Sequence, residues 1–454
     1  MLMSSCQNRD EQIAQWWLTD SQHGRVMFKQ QTPIPWIETP KNEALTIQLD
    51  PYQRYQRMDG FGYTLTGGSA QHLQGMSKMA RNELLKRLFR PEDDGIGISY
   101  LRISLGASDL DEAPFSYHDL ANAEIDSLFQ HFDLGPHRTS LIPVLQEILA
   151  IQPELKIMAS PWSAPAWMKS NRDTRGGTLL PRYYDRYALY LATYIKQMNQ
   201  FGIPIHAMTV QNEPLHPGNN PSMLMLADEM NDFVKFHLGP TFANKGIGTK
   251  ILIYDHNADH IDYPLRILDD PATKTFVAGT AFHLYAGQIE SLSEVHRKHP
   301  DREIHFTEQW TAAPGQWSTD LPFHIKKVLI GSTRHWSRTV FQWNLTNNPT
   351  LTPYTDRGGC SSCLGAVTID GDQVTPNPAY YVLAHAAKWV RPGSVRIAST
   401  MPKGIPNVAF ETVDGQIVLL MMNELTHKQW VRIPHKSKFL EVELQPGHIV
   451  TLII

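Results

Sequence analysis

The chain has 454 residues, 42% of them hydrophobic and 19% charged, with a formal net charge of -4 at neutral pH. That length exceeds one small core and predicts one large domain with a smaller one beside it, and the composition fits a folded globule. The near-balanced charge without a long basic run excludes nucleic acid as an expected partner, and no apolar stretch has the length needed to cross a bilayer.

Residues 1–54 form an N-terminal segment that opens with MLMSSC. Cys6 resembles the modified cysteine at the end of a bacterial lipoprotein signal, although the charged and apolar regions of such a signal do not precede it. A start further upstream would make Cys6 a lipid anchor and place the protein outside the cytoplasm, in the periplasm, at the surface or secreted; otherwise Cys6 is a cysteine in a floppy terminus. RVMFKQQ from Arg25 and ALTIQL from Ala44 read as two strands.

Residues 55–390 alternate short β-rich runs with longer amphipathic ones, as repeated βα units do. Eight strands are expected in order: MDGFGYTL from Met58, GISYLRISL from Gly97, LKIMASPW from Leu155, HAMTVQ from His206, KILIYDH from Lys250, FVAGTAFHLY from Phe276, EIHFTE from Glu303 and RTVFQWNL from Arg338. Their near-continuous apolar character suits parallel strands covered on both faces. Between them, SKMARNELLKRLF places Leu84, Leu85, Leu88 and Phe89 on one stripe behind Ser77 as cap. A second helix starts at Pro181 and stops at Gly202, with proline first and glycine last. Eight such units predict a closed (β/α)8 barrel, with an open doubly wound sheet as the structural alternative. Residues 391–454 carry six further strand candidates separated by turns such as Asp414-Gly415 and Pro446-Gly447. They predict a β-sandwich that the N-terminal strands complete beside the barrel.

Two of the expected barrel strands run into a glutamate, Glu213 after TVQN in the fourth and Glu308 in the seventh. The C-terminal rim is where barrel enzymes do their chemistry, and strands four and seven face each other across it. Two facing carboxylates are the minimum for cleaving a glycosidic bond: one gives a proton to the leaving oxygen, the other attacks or stabilises the anomeric carbon. Asn212 beside Glu213 can bond a sugar hydroxyl next to that carbon; as a plain turn residue it would only precede Pro214. The 11 Trp, 16 Tyr and 17 Phe supply flat rings for sugar faces as well as for the core. Cys360 and Cys363 form a lone CxxC without a second ligand pair, which reads as a local disulfide or two free thiols rather than a zinc site. His256 and His260 have metal-pair spacing but no evident third ligand, and read as polar loop residues. No phosphate-binding loop, zinc-protease, serine-hydrolase or dinucleotide fingerprint is present.

The segments MDGFGYTLTGGSA, YLRISLGASDL, IMASPWSAPAWMKSN, TVQNEP, FHLYAG, HFTEQW, FQWNL and YYVLAHAAKWVRPGSVRI resemble glycoside hydrolase family 30, the glucosylceramidase-like retaining β-glycosidases, over residues 58 to 397. The resemblance implies Glu213 as acid/base and Glu308 as nucleophile. It implies Arg102 as a brace for the carboxylates, Asn212 as the contact to the sugar 2-hydroxyl and Tyr285 as a contact to the nucleophile. Trp162 and Trp343 would line the sugar pocket, and His283, in the same FHLY segment, joins the substrate-binding set; burial in the core or in a salt bridge is the alternative for Arg102 and the tryptophans. Glucosylceramidases of this family carry an acidic residue after the threonine of GFGxxxT, whereas Thr66 is followed by Gly67 and Gly68. That loss is expected to remove a charge-assisted bond and to open space at the far end of the pocket. The GFGYTLTGGSA form is more similar to bacterial members acting on β-glucans, including β-1,6-glucan.

The expected activity is therefore retaining hydrolysis of β-linked glucosides with no metal or organic cofactor required. Glucosylceramidase, β-xylosidase or β-fucosidase, a metal-dependent barrel hydrolase and a non-catalytic carbohydrate-binding barrel are the rivals. The loops Leu215 to Ser222 and Asn347 to Cys363 are expected to set the pocket's shape.

Overall fold

Burial on both faces decides the central architecture. In the computed structural model, which describes residues 13–24, 27–119, 126 and 128–454, all eight expected barrel strands form. They are β1 (Gly60–Leu65), β2 (Tyr100–Leu105), β3 (Lys156–Pro161), β4 (Ala207–Thr209), β5 (Lys250–Ala258), β6 (Val277–Gly287), β7 (Glu303–Glu308) and β8 (Ser337–Asn344). Each pairs in parallel with its neighbours in chain order and β8 returns to β1, closing the barrel. Every residue of β1 and β2 is buried, as expected of strands with side chains facing either the barrel interior or the surrounding helices. Tyr100, Met158, Ala207, Leu252 and Phe341 fill the interior as one packed cluster. At the N-terminal end, Asp59 and Glu303 share Arg338, with Lys156 on the first and Lys250 on the second.

The helical layer follows its apolar stripes. Ser77 caps the helix Lys78–Phe89, and Leu84, Leu85, Leu88 and Phe89 are its buried residues. The helix Tyr184–Gln200 begins after a single turn at Pro181 and puts Tyr187, Leu191, Tyr194 and Ile195 into the same core.

The N-terminal segment and the chain's end share one sheet. Its strand order is Lys29–Gln30, Ile13–Asp20, His448–Ile453, Ile417–Met422, Asn407–Glu411, Val395–Ser399 and Leu49–Arg57. A second sheet, Lys438–Leu444, Gln429–His435 and Leu45–Thr46, packs over it. Alternation along Ile417–Met422 shows how one strand serves two cores. Ile417, Leu419 and Met421 face the second sheet, whereas Val418, Leu420 and Met422 join the barrel's core. Buried His385, on the helix Pro378–Ala387, bonds Thr451 and Thr19 and ties barrel to sandwich. Cys6, and Arg25 and Val26 of the first expected strand, lie outside the described residues.

One expectation fails. Gly67 opens no space. It begins a buried helix, Gly67–Gly75, whose cap Thr66 accepts a bond from Ser69 N. A β-carbon on Gly67 would stand 1.7 Å from Asp111 Oδ1. The volume a side chain would need is already occupied by the Asp111 carboxylate, which accepts bonds from the backbone and hydroxyl of Ser108. Gly67→Ala should therefore lower unfolding free energy by about 1–3 kcal/mol through overpacking, despite alanine's better helix propensity; a denaturant titration that shows stabilisation would contradict this packing.

Candidate active site

Glu308 is the last residue of β7 and is buried at the C-terminal rim. Glu213 arrives differently. β4 stops at Thr209, but the chain stays tied to both neighbours beyond it: Val210 N donates to Leu252 O, Asn212 N to Pro161 O and Glu213 N to Asp255 O. Glu213 thus ends an irregular extension of the strand rather than the strand itself. Its φ of 45° lies in the left-handed region, where a non-glycine residue is held only when its surroundings over-determine it.

Arg102 on β2 is fully buried behind the two glutamates. Its guanidinium donates to Glu308 Oε2 at 2.5 Å, Asn212 Oδ1 at 2.6 Å, Asp255 Oδ2 at 2.9 Å and Ser160 Oγ at 3.1 Å. Its carbon also lies 4.9 Å from the Trp162 ring centre. Asp255, on β5, collects Arg102, the hydroxyls of Thr209 and Thr307 and His283 Nε2. Burial works against the Asp255 charge, but Arg102 and His283 outweigh it and hold its carboxyl well below the usual carboxylate range.

His283 links the carboxylates. Its Nε2 is 3.1 Å from Asp255 Oδ1, and its Nδ1 is 3.1 Å from Glu213 Oε1 and 3.7 Å from Glu308 Oε1. Those contacts keep the two glutamate Oε1 atoms within about 6.8 Å of each other, compatible with the roughly 5–5.5 Å of a retaining pair. Burial pulls the His283 imidazole down, but Glu308, Asp255 and Glu213 push it up to about 9. Burial pushes the Glu213 carboxyl up, and His256 and His283 more than reverse this, holding it low. At Glu308, burial with the Glu213 and Asp255 charges raises the carboxyl against the pull of His283 and Arg102. The three groups titrate as one unit, with His283 carrying a proton beside Glu213 at neutral pH. The Tyr285 hydroxyl donates to Glu308 Oε1 at 2.9 Å, and burial, then Glu308, keep that phenol neutral.

In front of the pair lies a cavity of about 390 Å³, lined by Trp162, Trp343, Tyr285, Trp310 and both glutamates. Trp162 and Trp343 lie 5.5 Å apart, centre to centre, and pack with Leu110 and Cys363. Cys360 and Cys363 are bonded to each other and form part of the wall. Of the expected substrate contacts, Trp162, Tyr285 and Trp343 reach the cavity, while Arg102 and His283 sit fully buried behind the carboxylates. Asn212 gives its carbonyl oxygen to Arg102 and is 4% exposed.

His256 is a correction: it is no loop residue but belongs to β5 and lines the cavity, 3.8 Å from Glu213 Oε1, whereas His260 lies at the surface. Space supplies the third partner that spacing did not, since donor atoms of Glu213, His256 and His283 all lie within 4.8 Å of one another. Asp255 was missed, though KILIYDH is a third apolar run ending on a carboxylate.

The Glycosyl hydrolase family 30 TIM-barrel domain matches residues 58–390, and that family's β-sandwich domain matches residues 393–452. The chain belongs to glycoside hydrolase family 30. It is 30% identical over 432 residues to the endo-1,6-β-D-glucanase neg1 of Aspergillus fumigatus, covering 89% of this chain and 87% of that protein. The mouse lysosomal acid glucosylceramidase is 26% identical, over 90% and 82% of the two chains. The solved structure of the endo-β-1,6-glucanase BT3312 superposes with a TM-score of 0.90 at 32% identity, covering 97% of this chain and 99% of that one. The protein is thus a glycoside hydrolase with the family's barrel and β-sandwich.

The raised His283 pKa carries a stability signature. Its contribution is complete below pH 6.5, the ordinary histidine value, and is lost as pH rises through about 9. Melting temperature should fall more steeply between those values for the native protein than for His283→Asn; parallel profiles would contradict the charged imidazole.

Proposed function

We propose that the protein hydrolyses β-1,6-linked glucan with retention of configuration, Glu308 acting as nucleophile and Glu213 as acid/base. The pairing of these glutamates across one aromatic-walled cavity carries the reading. The anomeric carbon sits against Glu308, and positive charge developing there favours the ionised form of that carboxylate. The glycosidic oxygen sits against Glu213 and becomes more basic as its bond to carbon breaks. Glu213 takes a proton from His283 Nδ1, 3.1 Å away, and passes it to that oxygen, itself left as a carboxylate, while a Glu308 oxygen bonds the carbon and the carbon–oxygen bond breaks. Glu213 then takes a proton from water, which attacks the same carbon and frees Glu308. Arg102 and Tyr285 bond the two oxygens of Glu308 and orient it through the cycle.

The substrate assignment rests on whole-chain similarity to endo-1,6-β-glucanases. Location outside the cytoplasm is part of the proposal: the Cys360–Cys363 bridge suits an oxidising compartment. No helix among the described residues is long and apolar enough to cross a membrane. Cell fractionation with thiol counting tests this, and a cytosolic protein with both thiols reduced would contradict it.

Glu308→Gln should lower kcat on β-1,6-glucan by roughly 10³-fold or more in a protein that still folds and melts cooperatively. Glu213→Ala should lower the glucan rate by about 10²–10⁴-fold, spare the first step with dinitrophenyl glucosides, and yield β-glucosyl azide when azide is added. Near-native rates in either variant would sink the residue roles. Faster turnover of glucosylceramide than of β-1,6-glucan would sink the substrate assignment.

A further inference from the structure

Two imidazoles converge on one oxygen of Glu213. Its Oε1 stands 3.1 Å from His283 Nδ1 and 3.8 Å from His256 Nδ1, and the three donor atoms all lie within 4.8 Å of one another. His283 is fully buried, while Glu213 and His256, 7% and 6% exposed, reach the cavity wall. A second cluster of this kind, Asp59, Glu303 and His305 at the opposite end of the barrel, is already filled by Arg338, Lys156 and Lys250. At Glu213 the neighbours are instead imidazoles, whose nitrogens can become metal ligands once neutral.

Each imidazole is set up for a cation in its own way. His283 Nε2 faces Asp255 Oδ1 at 3.1 Å. A carboxylate only accepts, so Nε2 carries a hydrogen and Nδ1 is the nitrogen aimed at Glu213. A carboxylate behind a histidine is the usual outer support of a zinc ligand, fixing the ring and raising its basicity. His256 Nδ1 is buried without a hydrogen-bond partner, a destabilising state that a bond on that atom would relieve. Charge points the same way. Asp255, Glu213 and Glu308 answer a single guanidinium, Arg102, which leaves two negative charges when both imidazoles are neutral. Zinc bonds of about 2.0–2.2 Å put two donors roughly 3–4 Å apart, so both separations from Glu213 already suit one ion.

We propose that Glu213, His256 and His283 form an inhibitory site for a divalent ion that favours nitrogen donors, zinc above all, with its fourth position open to the cavity. The ion bonds Glu213 Oε1 and Nδ1 of both imidazoles, and the proton on His283 Nδ1 leaves to solvent. The Glu213 oxygen it holds no longer carries a proton to or from substrate, so the ion stops hydrolysis instead of driving it. The effect on rate rests on Glu213 as acid/base; the binding does not.

The test is calorimetric titration of the chelator-treated protein and of His256→Ala with zinc chloride. Hydrolysis of β-1,6-glucan is followed at each zinc concentration, every rate referred to the same protein without zinc. The native protein should bind one tight ion per chain. Its rate should fall by about 10²-fold or more at saturation, the contribution of a general acid–base group, and return when chelator is added. His256→Ala should bind zinc at least about 10–100-fold more weakly, because loss of even an outer partner of a ligand has that effect. Magnesium, which prefers six oxygen donors, should neither bind nor inhibit. Cobalt in place of zinc should give native protein the intense visible absorption of a four-coordinate site, a readout that needs no variant to fold. Absence of a tight ion, equal zinc affinity in His256→Ala, six-coordinate cobalt alone, or saturation by zinc without loss of rate would each overturn the proposal. A zinc-free protein that leaves the glucan uncut contradicts the proposed reaction, and one tight ion with the four-coordinate cobalt spectrum then still supports the site.

Discussion

A guanidinium with no access to solvent must be answered on every side by charge and hydrogen bonds, and the active site is built around that requirement. Arg102 is met by Glu308, Asp255, Asn212 and Ser160, which come from or follow four other strands of the barrel. Asp255 is met in turn by Thr209, Thr307 and His283, and His283 by Glu213. Removing one member of such a network leaves an uncompensated buried charge, an effect of about 3–5 kcal/mol. The same bonds that satisfy the arginine fix both glutamates in position, so folding and catalytic geometry depend on one set of contacts.

The network also explains how three carboxylates can crowd one rim. Arg102 and His283 bring two positive charges against Asp255, Glu213 and Glu308, and the remaining proton equilibrates over a 3.1 Å contact between His283 and Glu213. Tryptophan rings and the Cys360–Cys363 bridge form a wall in front. The low-dielectric surroundings strengthen each of these interactions, which is what pre-organised electrostatic catalysis requires.

Much of this was legible in the sequence, for physical reasons. The eight barrel strands announce themselves because they are covered on both faces and need continuous apolar runs. The C-terminal sandwich strands were equally plain, since Ile417–Met422 must satisfy two cores at once, whereas the long N-terminal strands Ile13–Asp20 and Leu49–Arg57 were not among those expected. Where β4 stops was not legible, because Val210 to Glu213 keep backbone bonds to neighbouring strands without regular pairing. His256 escaped as well: it closes the expected strand KILIYDH, yet is set aside with His260 as a loop residue, and its side chain lies 3.8 Å from Glu213. Gly67 misled because the absence of a side chain reads as empty space, and only the fold shows that Asp111 fills it. Asp109 and Asp111, two residues apart in one acidic turn, are indistinguishable by pattern, yet one faces the cavity and the other anchors the chain.

The central claim is that Glu308 forms a covalent bond to the sugar while Glu213 handles the proton. A 2-deoxy-2-fluoro-β-glucosyl fluoride slows release of such an intermediate, and intact-mass measurement followed by peptide mapping locates the bond. The expected result is one fluoroglucosyl group per chain on the peptide carrying Glu308, absent from Glu308→Gln. A label on any other residue, or hydrolysis of the glucan with inversion at the anomeric carbon, would contradict the assignment.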